Sequence, residues 1–396
     1  MRNLTLLGAT LALCLSAAQA AAVFTVTSTA DTDGATCANP CTLRQAINAA
    51  NASVGADTIN FGFSGTISLG SVLPVITDTL AIDATGRSVT LSGGGTSQVL
   101  QLDGATSLAL KSLTIANGRT TQNLTAGGVT VLSATPGNPA GPATLSITDC
   151  VLSGNSANSS ISAGAIMLFL GSTSLTVANS SFIGNSGTTP FGDPAVGAIY
   201  GYSGGAITVS NSTFENNSGT TGAILSPSGS LTVSGSTFAG NTAIYGGGAI
   251  QVANSPGFAN TITNSTFYAN SSASAGGAIA SFGTFDFPGR LTVTNSTFSG
   301  NSSNSGNVAG RNGAISTLGP SHFALRNTIV EKSTNGNCSA SFFFDEGGNL
   351  SDDATCVFTT STSLANTPAQ LGPLQNNGGP TRTMAPLTGS PAVDLG

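Results

Sequence analysis

Apolar residues along this chain recur with a period of two. Stretches such as Thr66-Ile67-Ser68-Leu69, Leu80-Ala81-Ile82-Asp83 and Ser88-Val89-Thr90-Leu91-Ser92 alternate apolar with small or polar residues. That alternation predicts short strands with one buried face. One such stretch becomes a phrase: LTVANSSFIGN, ITVSNSTFENN, LTVSGSTFAGN, NTITNSTFYAN and LTVTNSTFSGN, with aromatic positions at Phe182, Phe214, Phe238, Phe267 and Phe298. A diverged copy, LSITDCVLSGN, puts Leu152 in that place, and looser copies surround Ile115 and Val330. The copies lie about 29 residues apart on average with no helical pattern between them.

Each copy carries asparagine three places after the aromatic position: Asn155, Asn185, Asn217, Asn241, Asn270 and Asn301. A side-chain amide at one fixed place per repeat fits stacked turns, where each amide bonds to those above and below it. The phenylalanines then form an internal stack. A second short strand is expected where small residues open it, at Gly204-Gly205-Ala206-Ile207, Gly247-Gly248-Ala249-Ile250 and Gly276-Gly277-Ala278-Ile279, with variants at residues 163–166, 221–224 and 312–315. Glycine there would allow positive φ at a corner before Ala-Ile turns inward. Two or three short strands per repeat fit a coil of an all-β parallel solenoid, and residues 58–110 add two or three coils. About ten coils would make a rod roughly 50 Å long. Thr42-Leu43-Arg44-Gln45 has capping-box spacing ahead of an apolar Ala46, Ile47, Ala49, Ala50 stripe, so a helix over residues 42–52 should cover the first coil's open end.

Composition narrows the function. Of 396 residues only 7% are charged, with Lys+Arg 10, Asp+Glu 16 and a net charge of −6. Lys111 and Lys332 are the only lysines, so there is no basic patch for nucleic acid. Arg2, the apolar run Leu4–Leu15 and Ala18-Gln19-Ala20 form a secretory signal over residues 1–20, its apolar run too short to span a bilayer. Export admits disulfides, and proximity pairs Cys37 with Cys41 and Cys338 with Cys356. Cys150, inside an alternating stretch, is expected to be a buried, inert thiol.

Cys41-Thr42-Leu43-Arg44-Gln45-Ala46-Ile47-Asn48-Ala49-Ala50-Asn51, followed by Gly55-Ala56-Asp57-Thr58-Ile59-Asn60-Phe61, resembles the CSLREA-type N-terminal module of bacterial exported β-helix proteins, with Thr42 for Ser and Gln45 for Glu. Gly348-Asn349-Leu350, Cys356, the stretch Leu371–Pro380 and Gly389-Ser390-Pro391-Ala392-Val393-Asp394 resemble the choice-of-anchor Q region. The central repeats are similar to those of polymorphic outer-membrane proteins. The resemblance implies a right-handed parallel β-helix, exported and surface-associated, in a family mostly without assigned activity. Relatives usually continue beyond the Ser-Pro-Ala-Val-Asp phrase toward an anchoring tail, so the resemblance implies either a truncated sequence or a released protein. The expected organisation is a signal at 1–20, an N-terminal cap at 21–57, helix repeats at 58–335 and a disulfide loop with tail at 336–396.

Few residues invite catalysis. Glutamate occurs only at Glu215, Glu331 and Glu346. Asp352-Asp353 is the one acidic pair, but strand neighbours face opposite ways and a structural role is favoured. His322 follows Gly319-Pro320-Ser321 and reads as a turn histidine, while Arg44 should bond to the first coil. A threonine column at Thr176, Thr208, Thr232, Thr261 and Thr292 could order water, but it looks one residue wide except at Thr261-Thr263 and Thr292-Thr294, and threonine also suits a half-exposed strand. No metal or cofactor is expected, since no CxxC or aspartate-rich nonapeptide occurs. The sequence therefore points to a secreted or cell-surface rod, non-catalytic, that adheres to an unidentified glycan, polymer or protein through its repeats. A β-helix polysaccharide lyase or glycoside hydrolase is the alternative. Sequence leaves the oligomeric state open.

Overall fold

A computed structural model describes residues 21–103, 106–132, 142–169, 173–189, 192–202, 204–253, 258–283, 290–304, 313–318, 322–339 and 343–395. The segment read as a secretory signal, 1–20, lies outside the described residues. The chain winds as a parallel β-helix. One coil runs through strands Thr144–Thr148, Val151–Ser153, Ser156–Asn158 and Ile166–Leu168 before Ser174–Ala178 starts the next. The stacked equivalents form four parallel sheets, here numbered 1 to 4 in coil order, with twelve, eleven, seven and nine strands among the described residues. Coils thus hold up to five strands rather than two or three, since Ser162–Ala163 and Ala195–Val196 add a short parallel pair between the sheet 3 and sheet 4 strands of their coils. Sheet 1 also takes in Val23–Val26, from the stretch assigned above to the cap, and Phe343–Asp345, from the terminal loop, giving a length of roughly 50 Å.

Equivalent residues stack in register, so each repeat position becomes a column. Phe182, Phe214, Phe238, Phe267 and Phe298 stack with near-parallel rings and centroids 4.5–4.9 Å apart. The column continues as Leu152, Ile115, Leu91 and Ile67 on one side and Val330 on the other, all buried. At the following turn the asparagines form an unbroken ladder. Asn155 donates to Asn185 Oδ1 at 3.0 Å, and Asn185, Asn217, Asn241 and Asn270 each donate to the next at 2.9 Å. Their second N–H reaches a carbonyl of a preceding coil, such as Phe214 O from Asn241, and each Oδ1 from Asn185 onward also accepts the backbone N–H of the asparagine before it. These amides are fully buried and fully bonded, which removes the penalty for burying them.

The phrase carries a second polar ladder. The serine two places before each phenylalanine (Ser180, Ser212, Ser236, Ser265, Ser296) is buried, and from Ser212 onward each hydroxyl accepts the N–H of its predecessor; Thr328 ends the run. Cys150 occupies the first place in this column, its N–H bonded to Ser180 Oγ and its thiol directed at Thr148 O. Burial pushes that thiol up to about 11, as expected of an inert group.

The small-residue corners need one correction. Gly164, Gly197, Gly222, Gly248, Gly277 and Gly313 precede the inward isoleucines of sheet 4: Ile166, Ile199, Ile224, Ile250, Ile279 and Ile315. Gly204-Gly205-Ala206-Ile207 is a look-alike, because Ile207 belongs to sheet 1 and Ile199 fills the sheet 4 place. At five of the six, the glycine immediately before Ala-Ile is required for close approach, since a Cβ on Gly248 would collide with the Gly277 carbonyl; Gly313 does take positive φ, and so does Gly276 one place earlier in its corner.

Both ends are closed. Helix Leu43–Ala52 starts with the Thr42/Gln45 capping box and buries Leu43, Ala46, Ile47 and Ala50 over the first coil. Arg44 holds Asp31 by two 2.9 Å bonds and donates to the Ser71 and Val72 carbonyls, so its role is structural. Cys37 is bonded to Cys41 and Cys338 to Cys356. At the far end the inward sheet 1 column passes through Val293 and Leu325 and stops at Asp345. Burial alone would raise that carboxyl, but hydrogen bonds from Ser363, Thr360 and Asn349 outweigh it and hold it well below the usual carboxylate range. Residues 366–395 then double back over sheet 2, where Leu371–Gln375 and Thr383–Pro386 form an antiparallel hairpin, Thr237 Oγ1 donates to Arg382 O and Arg382 pairs with Glu215.

Candidate polymer-binding face

Two sides of the coil are partly occupied. The returning tail lies over sheet 2, and short bridges through Ala126, Ala163, Val196 and Thr221 lie over the outer column of sheet 4, burying Met167, Tyr200 and Leu225. Tyr202 there stacks on Phe169 with centroids 5.5 Å apart. The outer surface of sheet 1 is the long face left open. Its central column is Val23, Thr58, Ala81, Ala109, Ser146, Thr176, Thr208, Thr232, Thr261, Thr292, Ala324 and Phe344, in continuous register.

The threonine column is therefore a true ladder, and it is wider than its sequence suggests. Register places Ser210, Ser234, Thr263 and Thr294 beside Thr208, Thr232, Thr261 and Thr292. Across the five strands from Thr144–Thr148 to Ala259–Thr263, every outward position is Ser, Thr or Ala. Charge returns only toward the ends. Asp83 and Lys111 pair at 3.7 Å on one side; burial would raise the Asp83 carboxyl, but hydrogen bonds from Thr85 and the nearby ammonium hold it lower. A shallow trough of about 270 Å³ runs over Thr58, Ala81, Ala109, Ser146 and Thr176, where alanines replace longer side chains.

The opposite end of the face carries the one histidine. His322 lies in strand His322–Arg326, not in a turn as expected from the preceding Gly-Pro-Ser, because the chain has re-entered sheet 1 by that point. It faces outward, half-buried and edge-on to Phe344 at 5.2 Å, and shares a cavity of about 140 Å³ with Ala324, Phe344 and Glu346. The acidic pair and Glu331 are structural. Asp352 accepts from Lys332 N and Asn337 Nδ2, and Asp353 from Asn337 N and Thr355, so the pair clamps the terminal loop. Glu331 is fully buried and contacts Ser299 and Lys332. Among the described residues no group of three or more His, Cys, Asp or Glu side chains could hold a metal ion.

Residues 191–330, a little over a third of the chain, match the sequence model of the right-handed β-helix region family. The fold is thus an all-β, right-handed parallel β-helix. Similar solved structures include Jun a 1, the major allergen from cedar pollen (17% identity over 81% of this chain and 78% of that one, TM-score 0.36). Pectate lyase Pel9A is similar at 13% identity over 87% and 83%, TM-score 0.47. So is a mannuronic acid-specific family 6 polysaccharide lyase from human gut microbiota, at 10% over 85% and 88%, TM-score 0.33. At such identities and scores these likenesses carry no functional information. No curated protein sequence matches the chain significantly.

Proposed function

We propose that this protein is an exported, non-catalytic rod whose open sheet 1 face holds an uncharged polysaccharide. The observation that carries this is the run of consecutive strands presenting only Ser, Thr and Ala outward. A flat lattice of hydroxyls offers both donors and acceptors at each strand spacing, matching a polymer that repeats the same groups, and many weak contacts sum to useful avidity. Two disulfides fit an oxidising compartment, and no helix among the described residues is long and apolar enough to cross a membrane.

A second reading, a polysaccharide-active enzyme, draws on His322 and Glu346 sharing one cavity at the end of this face, since a histidine and a carboxylate can divide acid and base roles. Incubating the protein with a panel of immobilised neutral and acidic polysaccharides decides between them. Retention on neutral polymers with no new reducing ends or unsaturated products is the expected result. Products that disappear in Glu346→Gln would transfer the assignment to the enzyme.

A further inference from the structure

The strongest built cavity outside sheet 1 lies at the open edge of sheet 3. The first strand of that sheet, Arg119–Thr120, pairs on one side with Ser156–Ala157. On its other side the preceding coil supplies a turn at Gly93–Ser97 rather than a strand, and only Ser97 O meets the Arg119 N–H. The shortfall leaves a hollow of about 230 Å³, lined chiefly by Thr96, Ser97, Gln98, Arg119, Thr120 and Gln122.

Its floor is a directed hydrogen-bond chain. Gln101 donates to Gln98 Oε1 at 2.9 Å, and Gln98 Nε2 to Thr120 Oγ1 at 3.1 Å. Thr125 spends its proton on Gln122 O, so the 2.6 Å contact between the two threonines runs from Thr120 to Thr125. Gln98 and Thr120 are more than nine-tenths buried. Such a chain fixes the Gln98 amide and leaves it one further N–H for a guest. At the rim stands exposed Arg119, whose guanidinium has no ion pair or hydrogen bond among the described residues, in contrast to Arg44 behind the wall, which is consumed by Asp31 and two carbonyls.

We infer that this hollow is a binding site for a carboxylate-bearing sugar, a uronic acid residue at the end of a glycan. Hydroxyls and amides around the floor suit a polyol, and the planar fork of Arg119 suits a carboxylate. With a protein net charge of −6, an anion gains nothing from the overall field and must be recognised locally. The volume is below the roughly 300–1,000 Å³ of drug-sized sites, which fits a single ring. This site is separate from the neutral-polymer face and does not depend on it.

Calorimetric titration with oligogalacturonate, with its methyl ester and with a sulfated neutral oligosaccharide tests the assignment, using the full exported chain and Arg119→Gln. The acid oligomer should bind, more weakly at higher salt, with the ester and the Arg119→Gln protein each about tenfold weaker. Arg119 is exposed, so circular dichroism and melting of the variant should match those of the parent protein. Absence of acid-oligomer binding, equal binding of acid and ester, an unaffected variant, or preference for the sulfated sugar would each overturn the site. Retention of neutral polymers is read separately, so either assignment can fail alone.

Discussion

The inner and outer columns of the same coils obey different rules. Inside, Asn185, Asn217, Asn241 and Asn270, and Phe214, Phe238 and Phe267, each meet their own kind above and below, and replacing any of these asparagines strands the partners of two neighbours. Outside, Thr176, Thr208, Thr232, Thr261 and Thr292 stack equally well, yet the coils before and after carry alanine in that column without disturbing the register. Regularity inside is required by the fold. The outer regularity exceeds what pairing demands, which makes it the better pointer to binding.

The largest expected effect comes from breaking the inner ladder. Asn241→Leu removes an acceptor for Asn217 and a donor to Asn270 and Phe214 O, leaving several buried polar groups unpaired; about 4 kcal/mol or more should be lost in denaturant unfolding. Next is Asp345, where the ladder logic meets the end of the rod. Its carboxyl is lowered in the folded state, so its contribution is present above the unfolded carboxylate range and lost as pH falls below about 4. Hydrogen exchange should show the 343–364 region opening in acid before the central coils, and Asp345→Asn should show that opening already at neutral pH. A smaller change, within about 1 kcal/mol, is expected for Cys150→Ser, which restores the column's usual hydroxyl; the wild-type thiol should resist labelling at pH 8 until the protein unfolds. Thr232→Lys should alter stability least, within about 0.5 kcal/mol, yet weaken retention on neutral polysaccharide by placing an ammonium in the middle of the uncharged face. Equal loss of stability from the inner and outer substitutions would erase the distinction.

Much of the interior was readable because local spacing and stacking coincide in a solenoid. The phrase around Phe238 repeats its asparagine at one offset, and a parallel coil that advances one strand per turn must bring those residues together. The capping helix was equally local, set by Thr42, Gln45 and the alanine stripe. The outer face was half-read: threonine was visible at Thr208 and Thr232, but Ser210 and Ser234 joined the carpet only once parity and register were known.

The sequence by itself determined that short strands stack with buried amide and aromatic columns, since a fixed offset repeated along the chain acts identically in every coil. Tertiary structure alone decided which chemically similar pieces are equivalent. It gave Ile199 rather than Ile207 the sheet 4 place, set His322 on a strand, turned Asp345 into a plug and folded the tail over Thr237. It also opened the hollow beneath Arg119, where one coil lacks the strand its successors possess. Those outcomes depend on connections of unequal length and on contacts between residues far apart in the chain, and such contacts form only when whole coils come into register.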